Sequence, residues 1–286
     1  MNVKIFTDSA CDLPISTYEQ YDIEMVPLTV HLNDQDYLDS KTIEASTVYQ
    51  AMREGAAPKT SQVTPEAFQQ AFSTYVDKGQ PCVYIGFSSE LSGTFQSAHI
   101  AQQQLMEEHP DANVHVFDTK CASLGQGLVV LRAAQLAKEG ASVDEILDTV
   151  KHHATHMEHI FTVDNLEYLQ RGGRVSKAAA FVGGLLQIKP LLHVDEGKLI
   201  PLEKIRGAKK VLKRMFEVME ERGQDISNQV VAISHADADE QAEKLASLIQ
   251  DKYEPKEIVI NNIGAAIGAH VGPGTMSLFF LNDQYV

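Results

Sequence analysis

Short apolar runs of strand type alternate with helix-period stretches through the first half of this 286-residue chain. Residues 3–6 and 25–30 read as strands, and residues 81–87 and 114–117 as short buried ones. Between them, Phe68, Phe72 and Tyr75/Val76 recur at i, i+4 and i+7/8 behind Thr64-Pro65, which marks a capped helix start. Further helices are expected from Ser92 to about Glu108, from Gly125 to about Lys138 and from Ser142 to about His156. Strands separated by helices imply a mainly parallel sheet with helices on both faces.

The pattern changes near residues 155–160. Residues 160–163 read as a strand, and residues 189–194 and 198–204 as two more, joined by the hairpin turn Asp195-Glu196-Gly197. A basic amphipathic helix follows from Ala208 to about Glu221. Strands at 230–234 and 257–261 flank a helix ending near Gln250, and a last apolar run spans 276–281. Hairpins mixed with helices indicate an α+β unit with a mixed or antiparallel sheet. The expectation is therefore an α/β protein of two domains: an N-terminal parallel α/β sandwich over 1–157 and a C-terminal α+β domain over 158–286.

The formal charge is −15, from 24 Lys+Arg against 39 Asp+Glu, which argues against a broad nucleic-acid-binding surface. That charge is segregated: residues 171–214 hold eleven basic residues against three acidic ones, a local +8 that leaves −23 for the rest. A docking surface and a set of solvated faces both produce such a belt. The opening residues are charged too early for a signal peptide, and the charge-free window 258–282 carries Pro273 and four glycines, a poor membrane span. Three cysteines without a CxxC pair fit reduced thiols buried as small hydrophobes, so a cytoplasmic location is expected.

Gly125-Gln-Gly127 opens a helix after a strand, but Val130 breaks the dinucleotide pattern, and the glycine loop at 268–275 has no lysine before Thr275. His152, His153, His156 and His159 stand at helical spacing near a helix end; no HExxH and no clustered cysteine accompany them, and no metal is assigned. Hydroxyls gather at three strand-to-helix junctions: Thr7-Asp8-Ser9, Thr60-Ser61, and Ser88-Ser89 through Ser92-Gly93-Thr94. The carboxyl edge of a parallel sheet is where α/β folds bind ligands, and a helix N-terminus with free donors accepts an anion. Each cluster also serves as a cap or turn, Ser92 as an N-cap in particular. Brought together, the three would line one crevice. GxSxG is absent and no His/Asp pair neighbours Ser92, so no catalytic triad is visible. His270, in a glycine-rich run, reads on its own as a core histidine.

As a set these motifs resemble the DegV family, whose fatty-acid-binding members include the FakB subunits of bacterial fatty acid kinase. The matching pieces run in order along the chain: Thr7-Asp-Ser-Ala-Cys-Asp-Leu-Pro14, Thr60-Ser-Gln62, Ser89-Glu-Leu-Ser-Gly-Thr94 and Asp118-Thr-Lys120. They continue with Leu166-Glu-Tyr-Leu-Gln-Arg-Gly-Gly-Arg-Val-Ser176, Ile188-Lys-Pro190, Arg206-Gly-Ala-Lys-Lys210 and Gly268-Ala-His-Val-Gly-Pro-Gly274. Two positions depart from the pattern: Val63 stands where the family often has proline, and Ala208 where many relatives carry a basic residue.

The resemblance implies one long-chain fatty acid held between the domains; no other cofactor and no metal is expected. Its carboxylate would be held by Thr60, Ser61, Ser92, Gly93 and Thr94, with His270 nearby. A partner kinase would then phosphorylate the acid to an acyl phosphate, which makes this chain a carrier rather than an enzyme. Hydroxyls and helix amides bind a carboxylate without a covering arginine. The charge-free stretches at 178–188 and 258–282 suit the acyl tail, through Phe181, Leu185, Ile188 and Ile267. Arg171, Arg174, Arg206 and Lys209 of the belt would meet the kinase, an acyltransferase or an anionic membrane surface. The alternatives are a stand-alone acyl or phosphoryl transferase with Ser92 as nucleophile, and a lipid-binding regulator unconnected with phosphorylation.

Overall fold

The computed structural model describes residues 2–175 and 188–286. In chain order the first half contains β1 (Lys4–Asp8), α1 (Ile15–Gln20), β2 (Glu24–Val26), β3 (Thr29–Leu32), β4 (Gln35–Leu38), α2 (Ala45–Arg53) and β5 (Lys59–Ser61). It continues with α3 (Pro65–Val76), β6 (Cys82–Gly86), α4 (Thr94–Glu108), β7 (Val114–Asp118), α5 (Ser123–Glu139) and α6 (Val143–His156). The second half contains β8 (Met157–Thr162), α7 (Leu166–Gly172), β9 (Ile188–Asp195), β10 (Lys198–Arg206) and α8 (Ala208–Arg222). It ends with β11 (Val230–His235), α9 (Asp239–Tyr253), β12 (Glu257–Asn262), α10 (Ala265–Val271) and β13 (Met276–Leu281).

Two main sheets result, as the alternation of apolar runs requires. One is fully parallel, ordered β2-β1-β6-β7. The other is mixed, ordered β10-β9-β8-β13-β11-β12, with β11 and β12 as its one parallel pair. Period-two alternation sends the two faces of each sheet into different cores. Phe6 and Tyr84 pack edge-on against Phe68 and Phe72 under α3 and α4, while Ile5, Val83 and Ile85 face α5. In the mixed sheet Val231, Ile233, Leu278 and Phe280 turn to α8 and α9, while Ala232 and Phe279 turn to α5. Helix α5 is thus the filling between the two sheets, and every residue from Ser123 to Leu131 is buried. A helix apolar on all sides can be accommodated only in such a position.

That position explains the two glycines that open α5. A Cβ on Gly127 would lie 2.8 Å from the Cys11 carbonyl oxygen, and one on Gly125 would lie 2.3 Å from Nε2 of His159. They are close-approach glycines of a packed helix, which is why the dinucleotide pattern is incomplete.

The β9–β10 turn has positive φ at both Glu196 (47°) and Gly197 (78°), the two-residue form that matches strand twist. Ser142 caps α6 with a full capping box to Glu145. Other features differ from the expectation. The single strand expected at 25–30 is two, β2 and β3, in different sheets, because Pro27 has no N–H to donate to a ladder. A three-stranded antiparallel sheet, ordered β4-β3-β5, joins the parallel one in the first half. Its strand β5 is the Lys59-Thr60-Ser61 cluster itself. All three cysteines are buried, which pushes the thiols of Cys82 and Cys121 up to about 12. Among the described residues no helix is long and apolar enough to cross a membrane.

Replacing Gly127 by valine forces side-chain carbon into the Cys11 backbone. Overpacking of this kind costs about 1–3 kcal/mol. The urea midpoint should fall with an unchanged slope, and an unshifted midpoint would contradict the packing described.

Candidate functional site

Two loops and one short helix meet at the carboxyl edge of the parallel sheet. Strand β5 pairs with β3, Thr60 opposite Val30, and the Thr60 hydroxyl lies 2.7 Å from Nε2 of His270 on α10. The loop after β6 runs beside it: a Cβ on Gly93 would lie 2.1 Å from Oε1 of Gln62. Thr94, fully buried, ties the loops together. Its hydroxyl is 2.9 Å from Ser92 Oγ and accepts from the Val63 amide at 3.4 Å, while its own amide donates to Ser92 Oγ at 3.2 Å. Helix α7 closes over α10 so tightly that a Cβ on Gly172 would lie 2.4 Å from His270 Nδ1. Just past α7, the Arg174 guanidinium donates to the carbonyls of Leu91 (3.2 Å) and Gly172 (2.5 Å).

Behind these groups lies a cavity of about 350 Å³. Thr60, Ser61, Gln62, Ser92, Gly93, Arg174 and His270 form one polar part, and Ser123, His159, Thr275 and Ser277 add polar groups elsewhere on the wall. Leu28, Phe161, Leu169, Leu199, Ile263 and Phe279 are among the apolar residues of its wall, drawn from both halves of the chain. A second cavity, of about 450 Å³, shares His159 with the first but is bordered by Asp118, Lys120, Glu158, Asp195, Glu196 and Arg222. Its charged wall suits no apolar ligand.

The residues singled out from sequence fall into distinct places. Thr60, Ser61, Ser92, Gly93 and His270 are brought together on the wall, with Thr94 beneath them as a support. Ser61 also reaches outward, its hydroxyl 2.6 Å from Nε2 of His31. Ile267 is in the wall, whereas Ile188 starts β9 opposite Arg206 and is not among the cavity residues described. Phe181 and Leu185 lie outside the described residues.

The Thr7-Asp8-Ser9 cluster does not join the crevice. Thr7 Oγ1 donates to the Ile85 carbonyl, Asp8 accepts from Tyr84 Oη (2.6 Å) and the Phe87 amide (2.9 Å), and Ser9 accepts from the Leu28 amide. Ser88 and Ser89 are likewise engaged, with the Gly197 carbonyl and the Lys120 ammonium. Buried polar groups need partners, and these hydroxyls are used to hold the loop rather than to face a ligand.

Arg174 is the residue whose placement sequence reasoning missed. It stands in the cavity wall, so the hydroxyls there do have an arginine beside them. Its neighbour Gly172 is the available signal, since a glycine there permits the close crossing of α7 over the site. Arg171, Arg206 and Lys209 are exposed and outside the wall. Much of the belt's charge is met locally. Arg214 pairs with Glu203 and Glu221, Lys189 with Asp164, Lys198 with Glu90 and Lys213 with Glu217.

Burial, and then the charge of Arg174, hold His270 down at about 4, so its imidazole is neutral at pH 7. Neutral hydroxyls, one guanidinium and the N-terminus of the 15-residue α4 favour a single negative charge at this end. Ser92 Oγ bonds within its own loop, and among the described residues no base is hydrogen-bonded to it. The arrangement places anion-favouring groups at one end of a cavity with an otherwise largely apolar wall.

Comparison with known proteins agrees with this geometry. A family model described as "Uncharacterised protein, DegV family" matches residues 2–283. The chain belongs to the DegV family. A DegV domain-containing protein of Clostridium perfringens is 45% identical over 98% of this chain and 97% of its own. Among solved structures, a fatty-acid-binding DegV family protein from Thermus thermophilus superposes with a TM-score of 0.90 at 33% identity, over 98% of this chain and 99% of its own. A stearic acid-binding protein from Eubacterium ventriosum gives 0.88 at 27% identity, over 98% and 99%. The two solved structures share this fold over nearly their whole length.

His159 closes the inner part of the cavity as a neutral imidazole, donating Nδ1–H to the Met157 carbonyl and accepting at Nε2 from the Ala122 amide. Burial lowers it to about 4. The unfolded chain takes up this proton below about 6.5 and the folded one only below about 4, so this residue's contribution is lost as pH falls between them. Relative to His159→Gln, the wild type should lose about 2–3 kcal/mol between pH 7.5 and pH 4.5. A pH-independent difference in urea stability would contradict the assignment.

Proposed function

We propose that this protein binds one long-chain fatty acid in the 350 Å³ cavity, with the carboxylate at Thr60, Ser92, His270 and Arg174. The observation that carries the reading is the division of that cavity into one polar end and an otherwise largely apolar wall. About fifteen buried methylenes at ~0.8 kcal/mol each give a gross gain of ~12 kcal/mol, from which binding costs are subtracted. A lipid held that strongly survives purification. Residues 1–157 supply the carboxylate loops in this reading, and residues 158–286 supply His270, Arg174 and much of the acyl wall. The fatty-acid-binding relatives support the ligand class.

The carboxylate lies beside solvent-accessible loops in this reading, and a partner kinase transfers a phosphoryl group to one of its oxygens to give an acyl phosphate. The chain itself acts as a carrier. Its exposed basic residues, Arg171, Arg206 and Lys209 among them, are the surface offered to that partner or to an anionic membrane. A stand-alone transferase would require an activated Ser92, and the hydroxyl is instead engaged with Thr94.

Native mass spectrometry of the purified protein, followed by organic extraction, should yield one equivalent of a long-chain fatty acid. A ligand-free protein that also rejects added fatty acids would sink the proposal. The double substitution Thr60→Ala and Ser92→Ala removes two hydrogen bonds to a charged group, each worth about 1.5–3 kcal/mol. It should weaken fatty-acid affinity by at least tenfold while the melting temperature of the lipid-free protein stays close to wild type. Unchanged affinity would move the head-group site elsewhere.

A further inference from the structure

The histidines near the end of α6 are not used by the fatty-acid site. His152 and His156 are one turn apart, with ring centroids 4.7 Å apart on the same helix face. The fold adds a third group that sequence spacing does not associate with them: Asp283, in the segment after β13. One ring nitrogen of each histidine and one carboxylate oxygen of Asp283 all lie within 4.8 Å of one another. The Asp283 oxygen is 3.5 Å from Nε2 of His156, and both side chains are partly exposed, at 39% and 34%, so an ion has access.

The hydrogen bonds around the rings decide where their lone pairs point. Asn282 donates its amide N–H to Glu158, which turns its Oδ1 to Nδ1 of His156 at 2.9 Å. In the neutral ring that Nδ1 carries the proton, and Nε2, the nitrogen facing Asp283, is left with its lone pair. His152 donates Nε2–H to the Gln284 carbonyl at 3.0 Å, which leaves Nδ1 unprotonated. Each imidazole therefore gives its N–H to a fixed oxygen and keeps one basic nitrogen. That second layer of oxygen acceptors is what orients histidines as metal ligands and raises their basicity.

We propose that His152, His156 and Asp283 form a binding site for a first-row divalent transition metal of the Zn²⁺ class, with water completing the shell. Two imidazole nitrogens and a carboxylate oxygen suit Zn²⁺, Co²⁺ and Ni²⁺. Bond lengths of about 2.0–2.2 Å place tetrahedral ligands roughly 3.3 Å apart. The His156–Asp283 separation of 3.5 Å is already close to that, and the His152 nitrogen, within 4.8 Å of both, has to move nearer on binding. The ion would fasten residues 282–286 to α6, a segment also held by His153 and Arg132 on the Val286 carbonyl. The site is independent of the 350 Å³ cavity, none of whose wall residues takes part in it.

The test uses the full chain, free of any affinity tag and stripped with chelator. Co²⁺ should bind with one-to-one stoichiometry and develop the visible bands of a four-coordinate ion, and Zn²⁺ should displace it and raise Tm. His156→Ala and Asp283→Asn should each weaken Co²⁺ binding at least tenfold and abolish the Zn²⁺ shift in Tm. His115→Gln, on β7, should change neither. Asp283→Asn preserves side-chain shape, so unchanged circular dichroism separates loss of the metal from loss of the fold. Absence of saturable Co²⁺ binding, or affinity unaltered in both ligand variants, overturns the proposal.

Discussion

Burial of α5 between the two sheets is the constraint on which the rest of the molecule depends. Its polar side chains act as fixed pegs in an otherwise apolar layer. Gln126 Nε2 reaches Thr7 Oγ1 (3.0 Å) and the Ile85 carbonyl (3.2 Å), holding the carboxyl ends of β1 and β6 in place. Ser123 Oγ donates to Asp12 at 2.5 Å and lies 2.9 Å from Ser234 Oγ on β11. Asp12 in turn accepts from the Gly264 amide at 2.8 Å, at the start of α10. A continuous polar path thus runs from the central helix to the helix that carries His270. Buried hydrogen-bonded networks of this kind are costly to leave half-made, so they select one arrangement.

The same seam shows how buried charge is managed. Asp12 is pushed well above the usual carboxylate range by burial, and Asp39 up to about 6. Asp39 accepts from the Ala265 amide at 3.0 Å, and Tyr49 donates to the Ile263 carbonyl at 2.5 Å. Groups from the first half of the chain thereby set the start of α10, and through it the position of His270 above Thr60. The ligand end of the cavity is built on this frame. Its imidazole is held neutral and its guanidinium is tied to two carbonyls, the preorganisation that the proposed carboxylate site calls for.

Legibility in the sequence followed element length and locality. Helix α3 has the bounds its Thr64-Pro65 start and 3.6-residue pattern predict, and the turn at Glu196-Gly197 was visible because positive φ selects glycine. The short elements β4, β5, α2 and α7 are not legible in the sequence, since three to nine residues carry too little periodicity to separate helix from strand. Their neglect hid the small antiparallel sheet, and with it the reason why Thr60 faces His270. Arg174 looked like one member of a basic belt until the crossing of α7 over α10 placed it in the cavity wall. His152 and His156 stand out in the sequence, but their companion Asp283 lies more than 120 residues away.

By itself the sequence determined the succession of strands and helices, the change from parallel to mixed pairing, the hydroxyl-rich junctions and, through its ordered motifs, the family. These are consequences of local chemistry: side-chain period, turn conformation and capping act within a few residues. Tertiary structure alone decided which hydroxyls face the cavity and which are consumed in holding loops. It also decided that α5 is central, that an arginine stands in the cavity wall, and that an aspartate lies beside a histidine pair. Those outcomes depend on contacts between groups far apart in the chain, whose distances are set only when both sheets close on the same helix.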